Sequence, residues 1–277
     1  MASIAIKSYS APFSQLGTYG GATAVDAPLY HGFVIDPSGF GVMLDTRTGA
    51  VLSRFHMNQP ASVNIERNLA VVDDRTHRLF VGILPSGRTR QQPLLTVLDT
   101  ATGRMIRQVQ DTWGLLTVAV VLDRRSDRVF VVHYRQHVLV LDGRSGAILT
   151  RPHVGNQSYD LAVDAGTGHV FVLASPAESS SYAELRVLDA FGHLLRAPTR
   201  TRLSSGAARL VVDSAAHRLI LYDGANSTAD LFDTSSLQLR RSITVNNDAD
   251  FGIAVDERWH RVIIAGHGGT MVLDSNG

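Results

Sequence analysis

One spacing recurs six times along this chain of 277 residues: an apolar run closes on an aspartate, and a basic side chain stands five positions later at the head of a second apolar run. The segments read ATAVDAPLYHGFVI, LAVVDDRTHRLFVGI, AVVLDRRSDRVFVV, DLAVDAGTGHVFVL, RLVVDSAAHRLILY and GIAVDERWHRVIIA. Their aspartates are Asp26, Asp73, Asp123, Asp164, Asp213 and Asp256, and the partners are His31, Arg78, Arg128, His169, Arg218 and Arg261. A repeat of this kind constrains the fold more than any single motif, because each unit must bury its apolar face against the next. Each segment reads as a hairpin: two short β-rich runs joined by a turn whose aspartate can accept local hydrogen bonds.

A second hairpin follows in each unit, marked by VMLDTRTGAVL, TVLDTATGRMI, LVLDGRSGAIL, RVLDAFGHLL, DLFDTSSLQL and MVLDSNG. Asp45, Asp99, Asp142, Asp189, Asp233 and Asp274 sit where a tight turn needs a side-chain acceptor, and glycine follows where it needs a positive φ. The first series runs from Asp26 to Asp256, so its five steps average about 46 residues. Two hairpins per unit make four strands, the content of a propeller blade. The expected fold is all-β: one domain over residues 1–277, a six-bladed β-propeller of four-stranded antiparallel blades. The last unit stops after its third strand, and Ala2–Ser8 (ASIAIKS) alternates like an outer strand. Pairing the two would close the ring by completing the last blade. The alternative is a ring of seven from which one blade is missing.

These units resemble the YVTN-type, NHL-like propeller repeat, with its apolar strand, "VD", short turn, "VYV"-like strand and "IDTxTG" close. The resemblance covers nearly the whole chain, through residues such as Ala24-Val25-Asp26 and Leu98-Asp99-Thr100. It implies a bacterial, extracytoplasmic or cell-surface protein, although MASIAIKSYS is not a signal peptide and a cytoplasmic setting stays open. It implies no activity, because the motif residues are structural.

Composition removes several function classes. A formal charge of +1 with mixed signs argues against nucleic acid as partner, and no run of 18 apolar residues offers a membrane span. The absence of cysteine excludes disulfides and thiolate chemistry. No G-x-S-x-G elbow, phosphate-cradling glycine loop or H-E-x-x-H motif is present. No cofactor is expected.

The repeat assigns His31, His77, His169, His193, His217 and His260 to turns, leaving His56, His133, His137, His153 and His267. These five fall at the end of the blades that carries the loops between hairpins and between units, where loop lengths vary and recognition is usually placed. His133 and His137 flank Tyr134, Arg135 and Gln136; a metal there would need a further ligand, and none is expected. Asp160 and Arg209 occupy aligned positions in neighbouring units, with Asp111, Trp113, Tyr159, Asp250 and Phe251 in the same loops.

The expected function is therefore a non-catalytic, monomeric domain that binds a protein, peptide or glycan at the channel mouth. His56, Asp111, Trp113, Tyr134, Arg135, Tyr159 and Arg209 are the candidate contacts. The alternative is a small-molecule lyase or hydrolase with His133, His153, His267, Asp160 and Asp250 as acid and base candidates.

Overall fold

The computed structural model describes residues 22–36, 38–57, 63–64, 69–85, 93–110, 117–133, 136–177, 182–203, 208–245, 252–266 and 269–275. Six sheets follow one another along the chain. The first holds β1 (Ala22–Asp26), β2 (His31–Ile35), β3 (Phe40–Asp45) and β4 (Val51–His56). A short ribbon then pairs β5 (Val63–Asn64) with β8 (Leu84–Pro85). The second sheet holds β6 (Ala70–Asp73), β7 (Arg78–Gly82), β9 (Pro93–Asp99) and β10 (Met105–Gln110). The third is β11 (Thr117–Asp123), β12 (Arg128–His133), β13 (Val138–Asp142) and β14 (Ile148–Thr150). The fourth is β15 (Gln157–Val163), β16 (Val170–Ser175), β17 (Glu184–Leu188) and β18 (Thr199–Arg200). The fifth is β19 (Ala208–Asp213), β20 (Arg218–Asp223), β21 (Thr228–Asp233) and β22 (Leu239–Thr244). The sixth has three described strands, β23 (Gly252–Asp256), β24 (Arg261–Gly266) and β25 (Gly269–Asp274). Ala2–Ser8, the expected closing strand, lies outside the described residues.

Within each sheet the strands are antiparallel and lie in chain order, with the first strand of one sheet against the first strand of the next from β1 through β6, β11, β15 and β19 to β23. The Asp-to-basic spacing is the register itself: Asp26 stands opposite His31, Asp73 opposite Arg78, Asp123 opposite Arg128, Asp213 opposite Arg218 and Asp256 opposite Arg261.

The core lies between consecutive sheets. Alternate side chains of one strand point to opposite faces, so Leu79 and Val81 pack with Phe33 and Ile35 of the first sheet, whereas Phe80 packs with Val129 and Val131 of the third. Burial on both faces is why the second strands read as continuous apolar runs. Each such side chain taken fully out of water contributes about 1.5–3 kcal/mol.

Two turn positions explain the rest of the repeat. The residue just before the basic position is left-handed in all six units: Tyr30, His77, Asp127, Gly168, His217 and His260, with φ from 51 to 75°. In the five units other than that of Gly168 its carbonyl accepts the N–H that follows the second aspartate, as His77 does from Thr100 at 3.0 Å and His260 from Ser275 at 2.8 Å. In the second hairpin Asp142 Oδ1 accepts from the Ser145 N–H and hydroxyl, both at 2.8 Å, and Gly146 supplies φ of 66°.

Candidate functional site

The two ends of the sheets differ in what their side chains do. At the end carrying the turns within hairpins, side chains fasten one sheet to the next. Asp26 is fully buried; its Oδ2 accepts from His77 Nδ1 at 2.9 Å and from the Thr100 hydroxyl, both in the following unit. A carboxylate only accepts, so the proton lies on Nδ1 of His77. His31 Nδ1 donates back to the Thr100 carbonyl at 2.7 Å. The same joint links the fifth and sixth sheets, where Asp213 Oδ2 accepts from His260 Nδ1 at 2.9 Å and from the Ser275 hydroxyl. Burial opposes the Asp213 charge, but Ser275, His260 and the Ala216 N–H together hold its carboxyl below the ordinary range.

The loop end carries the sequence-derived candidates. His56 ends β4, is exposed, and its ring lies 4.3 Å from that of Phe40. His133 ends β12, is buried, and stands opposite Thr117. Its N–H donates to the His137 carbonyl at 3.3 Å, closing the turn, and His137 pairs in turn with His153 across an isolated antiparallel bridge. The two imidazoles meet edge to face with centroids 5.3 Å apart. Gln136 fixes this corner to the linker beyond it: Val154 N–H donates to its carbonyl at 2.7 Å, and its amide reaches Asn156 Oδ1 at 3.2 Å. Asn156 N–H then donates to Ser175 of the fourth sheet. Three histidines 20 residues apart in sequence are thus gathered at one corner of the third sheet.

Asp160 and Tyr159 have other roles. A bulge between Ser158 and Asp160 turns Tyr159 into the core between the fourth and fifth sheets. Asp160 is buried, with Oδ1 accepting from the Leu161 N–H at 2.9 Å and Oδ2 from the Leu210 N–H of the next sheet at 2.8 Å. Burial raises its carboxyl to about 6 against the pull of those N–H groups and of Arg209. Arg209 donates to the Ala208 carbonyl at 3.0 Å, so Asp160 meets its neighbour through backbone rather than through an ion pair with that side chain. Asp111, Trp113, Tyr134, Arg135, Asp250 and His267 lie outside the described residues. Among the described residues no group of three or more His, Asp or Glu side chains could hold a metal ion, and no helix is long and apolar enough to cross a membrane.

No protein-family model matches the chain, and no match is found among curated proteins. Among solved structures it is similar to a chain of Kuenenia stuttgartiensis hydrazine synthase, with a TM-score of 0.72 and 11% identity over 93% of this chain and 77% of that one. The chain has a β-propeller fold. At this identity the likeness carries the fold alone, and its sheets are blades stacked around an axis.

The residues that fasten the blades were the ones sequence reasoning passed over. His77 and His260 read as turn residues, yet each crosses to the preceding blade. The signal was present as co-occurrence. A histidine before the basic position goes with a hydroxyl after the second aspartate in His77/Thr100, His217/Thr234 and His260/Ser275; both are missing together in Asp127/Gly143 and Gly168/Ala190, and the first unit, Tyr30/Thr46, keeps the hydroxyl without the histidine.

Proposed function

We propose that the six repeats are six blades of the YVTN type and that the chain is a non-catalytic, extracytoplasmic binding domain that recognises a protein, peptide or glycan at the loop end. The observation that carries this reading is the contrast between the ends of the blades. The hairpin-turn end repeats one aspartate-capped turn, as at Asp45, Asp99, Asp142 and Asp233, whereas the loop end differs from blade to blade. Asp36 caps the first blade's loop through Ser38 and Phe40, the β5–β8 ribbon adorns the second, the His133–His137–His153 corner marks the third, and Asp223 with Asn226 caps the fifth. A constant frame with a variable rim is the form in which repeat scaffolds place recognition.

The lyase or hydrolase alternative has less support. Its best placed carboxylate, Asp160, already has both oxygens engaged by backbone N–H groups of two blades, an arrangement that suits a strut better than a proton shuttle.

The test is a glycan and peptide array probed with the full chain, followed by titration of the hits. The variant W113A/Y134A/R135A and the variant H56A/H153A should each weaken binding at least tenfold while the melting temperature stays unchanged. Equal binding by both variants would remove the loop end as the recognition surface.

A further inference from the structure

Two joints between neighbouring blades carry the same residue types at the same repeat positions and stand in different states. Between the first and second blades the set is Asp26, His31, His77 and Thr100; between the fourth and fifth it is Asp164, His169, His217 and Thr234. The first set is closed: the His77 ring and the Thr100 hydroxyl donate to Asp26, and the His31 ring donates to the Thr100 carbonyl. The second set makes none of these bonds. Asp164 and Thr234 are at most 1% exposed, yet Asp164 Oδ2 and the Thr234 hydroxyl take no hydrogen bond among the described residues. His217 is exposed, and neither its ring nor that of His169 is hydrogen-bonded among them.

The backbone of the second set is already in place. His217 has φ of 54°, the value of His77, and its carbonyl accepts from the Thr234 N–H at 3.1 Å, as that of His77 does from Thr100 at 3.0 Å. The donor side therefore differs from the closed joint in side-chain torsions, which interconvert rapidly at an exposed ring. On the acceptor side the two turns are fastened together, because the Ser214 hydroxyl of the fifth blade accepts from the Ala165 N–H at 2.9 Å.

The charged groups around His217 leave Asp164 as its partner. Asp213 is taken by His260, Ser275 and the Ala216 N–H, and Asp233 by Arg240 and the N–H groups of Ser235 and Ser236. Glu257 Oε1 accepts from the Ser214 N–H, and Arg218 donates to the His217 carbonyl. A buried carboxylate oxygen without a donor is unfavourable, and a charged imidazole is a stronger donor to it than a neutral one.

We propose that the joint between the fourth and fifth blades is a proton-operated latch. When the neutral ring of His217 gains its second N–H it turns inward onto Asp164, the Thr234 hydroxyl joins it, and the seam takes up the bonding of the first joint. His169 charges in the same range and donates to the Thr234 carbonyl, as His31 does to that of Thr100. An imidazole changes charge near pH 6.5, so closure adds stability below about that pH and is lost as pH rises through it. The latch is independent of what the loop end binds.

The test is a double-mutant cycle in the full chain: D164N, H217N and both together, unfolded in urea about one pH unit above and one below pH 6.5. D26N and H77N form the reference cycle, and asparagine tolerates the left-handed backbone of both histidines. At the lower pH the Asp164–His217 coupling should reach about tenfold in the unfolding constant; at the higher pH it should vanish, while the Asp26–His77 coupling persists at both. Asp160, on the same strand and raised to about 6, titrates in this window but is common to all four proteins of the cycle and cancels. Coupling of equal size at both pH values would overturn the latch, because the joint would then be closed throughout. Coupling absent at both would also overturn it, because His217 would never reach Asp164. If D164N does not fold, H217N and T234V decide the matter: each should lower stability at the lower pH alone, and the same effect at both pH values rejects the proposal.

Discussion

His77 Nδ1 lies 2.9 Å from Asp26 Oδ2 across 51 residues of chain, and His260 repeats the contact on Asp213 at the same distance across 47. Both carboxylates are buried and both also take a hydroxyl, from Thr100 and from Ser275. At these two joints a long-range bond makes the stability of one blade depend on its neighbour.

Asp26→Ala and Asp213→Ala should each destabilise the chain by about 1–3 kcal/mol, since each strands a buried hydroxyl, of Thr100 or Ser275, and removes the acceptor of a partly exposed imidazole. Asp256→Ala, at the same repeat position but exposed, should leave stability unchanged. Urea midpoints of the three variants, measured side by side, give the ranking. Equal losses in all three would mean the aspartate acts within its own turn rather than across blades.

Asp160 and Asp213 should respond to pH in opposite senses. Asp213 has a depressed folded pKa, so its contribution is complete above the unfolded carboxylate range and is lost as pH falls through the folded value. Asp160 is raised to about 6, so the folded state holds its proton longer than the unfolded state. Stability is then lost as pH rises from about 4 to about 6 and is level beyond. The stability of wild type minus that of Asp160→Asn should therefore fall by roughly 3 kcal/mol between pH 4 and pH 7. Urea unfolding at intervals of one pH unit checks this; a difference that stays flat would show that the carboxyl ionises as freely in the fold as outside it.

Gly155 is the glycine whose replacement should do most harm at the loop end. Its φ is 121°, and an added Cβ would stand 2.6 Å from the Ser175 carbonyl oxygen, an atom held by the N–H of Asn156. Gly155→Ala should cost about 2–4 kcal/mol. Gly103, with φ of 70° and only ordinary van der Waals neighbours at 3.6 Å and beyond around the same added atom, should tolerate asparagine. Thermal melts of the two variants distinguish backbone demand from a general intolerance of change at glycine.

The frame of this fold was legible because its determinants are local. Asp26 with His31 and Asp256 with Arg261 are hairpin partners five residues apart, and the register follows from that spacing. The even unit length likewise placed Tyr159 and Asp160 at the start of an inner strand. What those two side chains do there depends on a bulge, which turned a candidate pocket residue into core and a candidate acid into a strut between backbones. The β5–β8 ribbon left no trace either, because two-residue pairings carry no periodicity.

Thr100 and Thr234 hold the same repeat position and should answer the same substitution differently. Both are buried, but the Thr100 hydroxyl donates to Asp26, whereas the Thr234 hydroxyl and Asp164 Oδ2, its counterpart in the preceding blade, take no hydrogen bond among the described residues. Valine matches threonine in shape and removes only the hydroxyl. Thr100→Val should then cost about 1–2 kcal/mol through the lost bond to a charge, while Thr234→Val relieves a buried group of an unmet need and should be neutral or slightly stabilising. Chemical denaturation of the two single variants provides the comparison. If Thr234→Val proves as costly as Thr100→Val, the joint between the fourth and fifth blades is made as tightly in solution as that between the first and second, and the differences among the blade joints vanish.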